Sequence, residues 1–91
     1  HMMDFETHKK QLMRNPAFRK AYEESRLEYE IARAVIRARI EKGLTQKQLA
    51  DKLNTKQSVI SRVESANTTP SLSLLKRLAH ALNTTLQVQF K

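Results

Sequence analysis

Ninety-one residues allow one domain, or one small domain with an extra arm, and the absence of cysteine excludes disulfides and thiolate metal sites. No apolar run approaches the roughly 18 residues of a membrane span, and no signal-peptide pattern opens the chain, so a soluble, cytoplasmic protein is expected. Seventeen Lys and Arg against nine Asp and Glu give a net charge of +8, which suits a polyanionic partner, nucleic acid ahead of a membrane surface.

In chain order, His1-Met2 ahead of Met3 reads as a cloning scar, residues 1–2, and stands outside the argument. Residues 3–28 are expected to form an N-terminal helical arm. Six basic and six acidic residues make the chain neutral from Asp4 to Glu30, so the whole surplus lies from Ile31 onward. Asn15-Pro16 reads as a helix start, because Asn caps and Pro is tolerated at the first helical position. Nothing breaks that helix before Lys42. Its apolar residues are Phe18, Tyr22 and Tyr29, then Ile31, Val35, Ala38 and Ala32, Ile36, Ile40, at spacings of three and four after Tyr29. The seven-residue step from Tyr22 to Tyr29 is charged and relieved only by Leu27, which predicts a bend or break between arm and domain.

Gly43 ends the helix in the left-handed position. Thr45 caps a short helix from Gln46 to Leu53, with Leu49, Ala50 and Leu53 inward. Asn54-Thr55 is a turn and a second cap, and the next helix runs from about Lys56 to Ser65 with Val59, Ile60 and Val63 inward. Ser71 caps a further helix through Leu82, whose Leu72, Leu75, Leu78, Ala79 and Leu82 recur at helical spacing. After it Leu86, Val88 and Phe90 alternate with Thr85, Gln87 and Gln89, a strand pattern over residues 85–91. A lone strand is not stable, so pairing with a second copy across a two-fold axis is expected, with a partner protein as the competing mate.

Two short helices joined by a tight turn need a small residue where they cross, supplied by Ala50, and Leu49, Leu53 and Ile60 lock them to the outer helices. The second can then enter a major groove with Lys56, Gln57, Ser58, Ser61 and Arg62 outward. Gln57 suits adenine, Arg62 guanine, and Ser58 either. Thr55 and Lys56 lie at a helix start, as do Gln46 and Lys47, where backbone N–H groups favour phosphate. Ser58 and Ser61 serve equally well as plain solvent-facing positions, Gln46 also reads as a local cap, and Lys52, Lys76 and Arg77 read as solubilising charge.

The residues Gly43-Leu44-Thr45-Gln46, Gln48-Leu49-Ala50, Thr55, Val59-Ile60-Ser61, Glu64, Pro70-Ser71-Leu72 and Leu75 carry a resemblance. The stretch Arg39 to Leu82 resembles the helix-turn-helix domain of phage-repressor and Cro-like regulators, the XRE family. The resemblance implies an all-α, Cro/C1-type bundle of four to five helices over residues 29–84, here with the arm before it and a short C-terminal β-strand after it. It also implies DNA contact at Gln46, Gln57, Ser58 and Arg62, and a partly buried structural ion pair between Arg39 and Glu64. One position departs from the pattern: the usual glycine two residues after Glu64 is Ala66, and Asn67 is the residue expected to take the left-handed turn in its place.

The segment Asn15-Pro16-Ala17-Phe18-Arg19-Lys20-Ala21-Tyr22-Glu23-Glu24, running on into Tyr29-Glu30-Ile31-Ala32-Arg33-Ala34, resembles the N-terminal region of HigA-type antitoxins. That resemblance implies an antitoxin that holds a RelE-like mRNA-cutting toxin and represses its own operon on double-stranded operator DNA, while the two-fold pairing of the tail strand makes a homodimer the expected form. Phe18, Tyr22, Glu23 and Leu27 are then the expected toxin-binding residues, with Leu86, Val88 and Phe90 for dimerisation. Leu27 and Tyr29 suit packing on the chain's own helices equally well, while Phe18 and Tyr22 lie too far out for it. The alternative is a stand-alone, phage-like transcriptional repressor. Catalysis is not expected: outside the scar only His8 and His80 are available, with no glycine-rich phosphate loop or carboxylate pair beside either, and no cofactor or metal is implied.

Overall fold

In the computed structural model, which describes residues 5–91, the helices begin where a side chain can satisfy their first free N–H groups. The order is α1 (Phe5–Leu12), α2 (Pro16–Glu41), α3 (Gln46–Lys52), α4 (Gln57–Glu64) and α5 (Leu72–Ala81). Asn15 opens α2, its Oδ1 accepting from the backbone N–H groups of Ala17 and Phe18 with Pro16 next in line. At α3 the Thr45 hydroxyl accepts from the Gln48 N–H while the Gln48 side chain accepts from the Thr45 N–H, a reciprocal capping box. Ser71 accepts from the Leu74 N–H at the head of α5. Among α2 to α5 the exception is α4. Its N-cap is Lys56 rather than the expected Thr55, and no side chain caps it.

The helix ends share one device. After α2, α3, α4 and α5 a single residue turns to positive φ: Gly43 (69°), Asn54 (54°), Ala66 (60°) and Asn83 (54°). Each turn closes the same pair of backbone bonds, as where Gly43 N–H donates to the Ile40 carbonyl and Leu44 N–H to that of Arg39. Glycine reaches this conformation without penalty and asparagine at low cost, but alanine does not. The left-handed residue after α4 is therefore Ala66 itself and not Asn67, because closing the turn requires the residue directly after the C-cap Ser65.

The core joins Val35 of α2, Leu49, Ala50 and Leu53 at α3, Ile60 and Val63 of α4, and Leu78 and Leu82 at α5. Leu49 and Ile60 are fully buried, each contributing roughly 1.5–3 kcal/mol by leaving water. Leu72, which shares the helical spacing of Leu75, Leu78 and Leu82, is an exposed first-turn residue. Arg77 on α5 donates to the Leu53 carbonyl and so ties α5 to the end of α3.

Two sequence expectations change. The predicted bend or break between Tyr22 and Tyr29 does not interrupt the helix, since α2 runs unbroken from Pro16 to Glu41. A charged stretch removes an apolar stripe but no backbone hydrogen bond, and nothing there is a helix breaker. Residues 84–91 form no strand; the described residues hold no β structure at all. A period-two pattern needs a neighbouring ladder, and one chain offers none. No helix among the described residues is long and apolar enough to cross a membrane.

Candidate nucleic-acid interface

The packing of α3 against α4 decides which side chains of α4 remain available. Ile60 and Val63 are buried and Val59 and Glu64 half-buried, on one arc of the helix. Gln57, Ser58, Ser61 and Arg62 fill the opposite arc and are exposed. Ala50, fully buried on α3, keeps the two helices close at their crossing. The uncapped start of α4 leaves its first N–H groups beside the exposed Lys56.

Behind this surface lies a charged anchor. Arg39 Nε donates to Glu64 Oε2 at 2.6 Å and Nη2 to Oε1 at 2.9 Å, a two-point ion pair joining α2 to α4. Arg39 Nη1 also donates to the Leu44 carbonyl at 2.9 Å. The Glu64 side chain is 5% exposed and that of Arg39 16%, so the pair is largely out of water. The hydrogen bond to Glu64, opposed by burial and aided by the carboxylate's charge, raises the Arg39 guanidinium above its ordinary value and keeps it ionised.

Glu64 does more than pair with Arg39. Its Oε1 accepts a third bond from Gln46 Nε2 at 3.0 Å, and Gln46 Oε1 accepts from Gln57 Nε2 at 3.4 Å. An ionised carboxylate only accepts, so Glu64 fixes which end of the Gln46 amide faces it. The carbonyl end of Gln46 then faces Gln57 and holds one N–H of that amide. Gln57 keeps its Oε1 and a second N–H free, the acceptor and donor that adenine requires in the major groove.

The remaining expected DNA contacts are distributed around this relay. Lys47 is exposed and only loosely paired with Asp51 at 3.7 Å, an i,i+4 contact of little strength in water. Thr55 is half-buried in the turn, and Lys56, Ser58, Ser61 and Arg62 are exposed. Two contacts escaped the sequence reading. The Glu64–Gln46–Gln57 relay joins residues 18 and 11 positions apart, and the Thr69 hydroxyl donates to Glu28 Oε1 across 41 positions. No local pattern announces either.

The other expected sites lie away from this surface. Phe18 and Tyr22 are half-buried rather than isolated: their rings stack at 6.2 Å, and Tyr22 stacks on Tyr29 at 6.1 Å. Glu23 and Leu27 are exposed. Of the three tail residues, Leu86 lines a shallow groove with Ile31, Leu75 and Leu82, whereas Val88 and Phe90 (96% exposed) touch little.

The helix-turn-helix family model matches residues 35–89. Multiprotein-bridging factor 1 of Saccharomyces cerevisiae is 37% identical over 62 residues, 68% of this chain and 41% of that protein. Its counterpart in Debaryomyces hansenii is 40% identical over 68% of this chain and 41% of the relative. Multiprotein-bridging factor 1b of Arabidopsis thaliana is 40% identical over 68% of this chain and 44% of the relative. The chain thus spans about two fifths of the length of these curated relatives. No solved structure matches it significantly. These relatives overturn the antitoxin expectation and give no support to a RelE-like toxin, the partner expected at Phe18, Tyr22, Glu23 and Leu27. The residues behind that expectation, a capped amphipathic helix with two tyrosines, specify a helix and not a partner, and one DNA-binding fold serves many functions. What the matched segment does establish is kinship: the chain belongs to the helix-turn-helix family.

Proposed function

We propose that the chain is a stand-alone transcriptional regulator that reads double-stranded operator DNA with α4 and the head of α3. The observation that carries this reading is the relay from the Arg39–Glu64 pair through Gln46 to Gln57, which leaves Gln57 with one donor and one acceptor on an exposed arc. Gln57, Ser58, Ser61 and Arg62 are the proposed base-reading residues. Gln46, Lys47, Thr55 and Lys56 are the proposed phosphate contacts. The surplus of positive charge from Ile31 onward supports the assignment, since this part holds eleven basic and three acidic residues.

One helix reads only a few base pairs, so a two-fold dimer on an inverted repeat belongs to the proposal. Leu86, Val88 and Phe90, exposed in the single chain, are its proposed contact residues. Residues 29–84 are the proposed DNA-binding unit and residues 3–28 an arm with a separate task. The names of the relatives, which speak of bridging proteins, support a protein partner in addition to DNA.

Selection from random duplexes, followed by fluorescence anisotropy, tests the reading. An inverted repeat holding two chains per duplex is expected. Arg62→Ala should cost about 1–3 kcal/mol and relax selection at one base pair per half-site, whereas Lys56→Ala should weaken all duplexes alike. Failure to enrich any sequence would refute it.

A further inference from the structure

We infer that the groove between α1 and the Phe18–Arg33 stretch of α2 is a docking site for an acidic, amphipathic peptide segment of another protein. The groove encloses about 470 Å³, within the range of sites that swallow large side chains. Its floor is apolar, built from Leu12, Phe18, Tyr22 and Tyr29. Its rim is basic, formed by His8, Lys9 and Arg33, and among the described residues no carboxylate lines it. Lys9 Nζ lies 4.7 Å from the centre of the Tyr22 ring, which holds an ammonium over the apolar floor.

Charge complementarity names the partner. Among the described residues the ion pairs are Arg26–Glu30, Arg39–Glu64 and Lys47–Asp51, so neither Lys9 nor Arg33 has a carboxylate mate. Lys9 comes from the stretch Asp4 to Glu30, which is neutral overall, and Arg33 from the start of the positive part, so the rim gathers charge from both. A segment with Leu or Phe anchors flanked by Asp and Glu would fill the floor and pair the rim in one step. A single-stranded nucleic acid fits less well. Its bases need open ring faces, and the ring of Tyr22 is already engaged by Phe18, Tyr29 and Lys9. The tail of a second copy also fits less well, because residues 84–91 carry a lysine and no acidic side chain.

The test uses the full chain and a labelled, helix-forming peptide of about 14 residues, with Leu and Phe at i and i+4 among Asp and Glu. One control peptide replaces the apolar anchors by Ala, a second replaces the acids by Lys, and unlabelled oligo(dT) serves as competitor. The acidic, apolar peptide should bind at least about tenfold more tightly than either control. Lys9→Glu combined with Arg33→Glu should weaken it by about tenfold or more, and so should Tyr22→Ala, with circular dichroism reporting the fold of each variant. Lys56→Ala, on the proposed DNA surface, should change it less than about twofold. Equal binding of the alanine control, an equal loss in Lys56→Ala, or displacement by oligo(dT) would overturn the proposal. So would sedimentation showing a dimer that Tyr22→Ala converts to monomer, since a second copy would then cover the groove.

Discussion

Ala66 holds a φ of 60°, a conformation that costs an L-residue roughly 1–2 kcal/mol because its Cβ crowds the backbone. The turn is kept because it satisfies two carbonyls at the end of α4: Ala66 N–H donates to Val63 and Asn67 N–H to Arg62. Ala66→Gly removes the clash at the expense of a looser unfolded chain, so a net gain of about 0.5–1 kcal/mol in unfolding free energy is expected. Urea denaturation checks it; an unchanged or lower midpoint would show that the strain is relaxed elsewhere. The same position marks the boundary of what sequence discloses. Gly43 and Asn54 advertise a left-handed turn by residue type, and both adopt it. Ala66 does not, so the signal moved to its neighbour Asn67, and only the hydrogen-bonding register corrects it. Gln46 and Gln57 were legible as polar residues at helix starts, but their mutual contact depends on how α3 crosses α4.

At the scale of the element, α2 joins two unequal halves. Its buried residues are Ala32 and Val35, both in the second half, while the first half is held by the aromatic stack, the Lys9 ammonium over Tyr22 and the Glu28–Thr69 contact. Helicity there rests on the Asn15 cap and on local hydrogen bonds, which hold a helix only marginally without packing. Native-state amide exchange should therefore be faster over residues 17–28 than over residues 31–41, by about tenfold or more. Uniform protection along α2 would mean that the first half is locked as firmly as the core. The helices as elements were readable because their caps and periodicities are local. The tail was misread for the complementary reason: alternation of Leu86, Val88 and Phe90 describes a strand's faces, while the strand itself depends on a ladder outside the segment.

Across the whole molecule, charge and packing divide the chain at the same place. Every buried residue of the core cluster lies from Val35 onward, and so does nearly all of the positive surplus. The arm adds nothing to the core cluster and almost no net charge, which predicts that DNA affinity and fold survive without its outer part. A chain lacking residues 3–24 should bind the selected operator within about twofold of the full chain. Its slope of log affinity against log salt should also be unchanged, because that slope counts neutralised phosphates at about 0.9 each. Lys56→Ala should lower the same slope by about 0.9 while leaving the preferred sequence intact. If the truncated chain instead loses slope, Lys9, Lys10, Arg14, Arg19 or Lys20 reaches the DNA backbone, and the arm belongs to the nucleic-acid surface. If it loses its fold, the stack of Phe18 and Tyr22 on Tyr29 holds more of the domain than its exposure indicates.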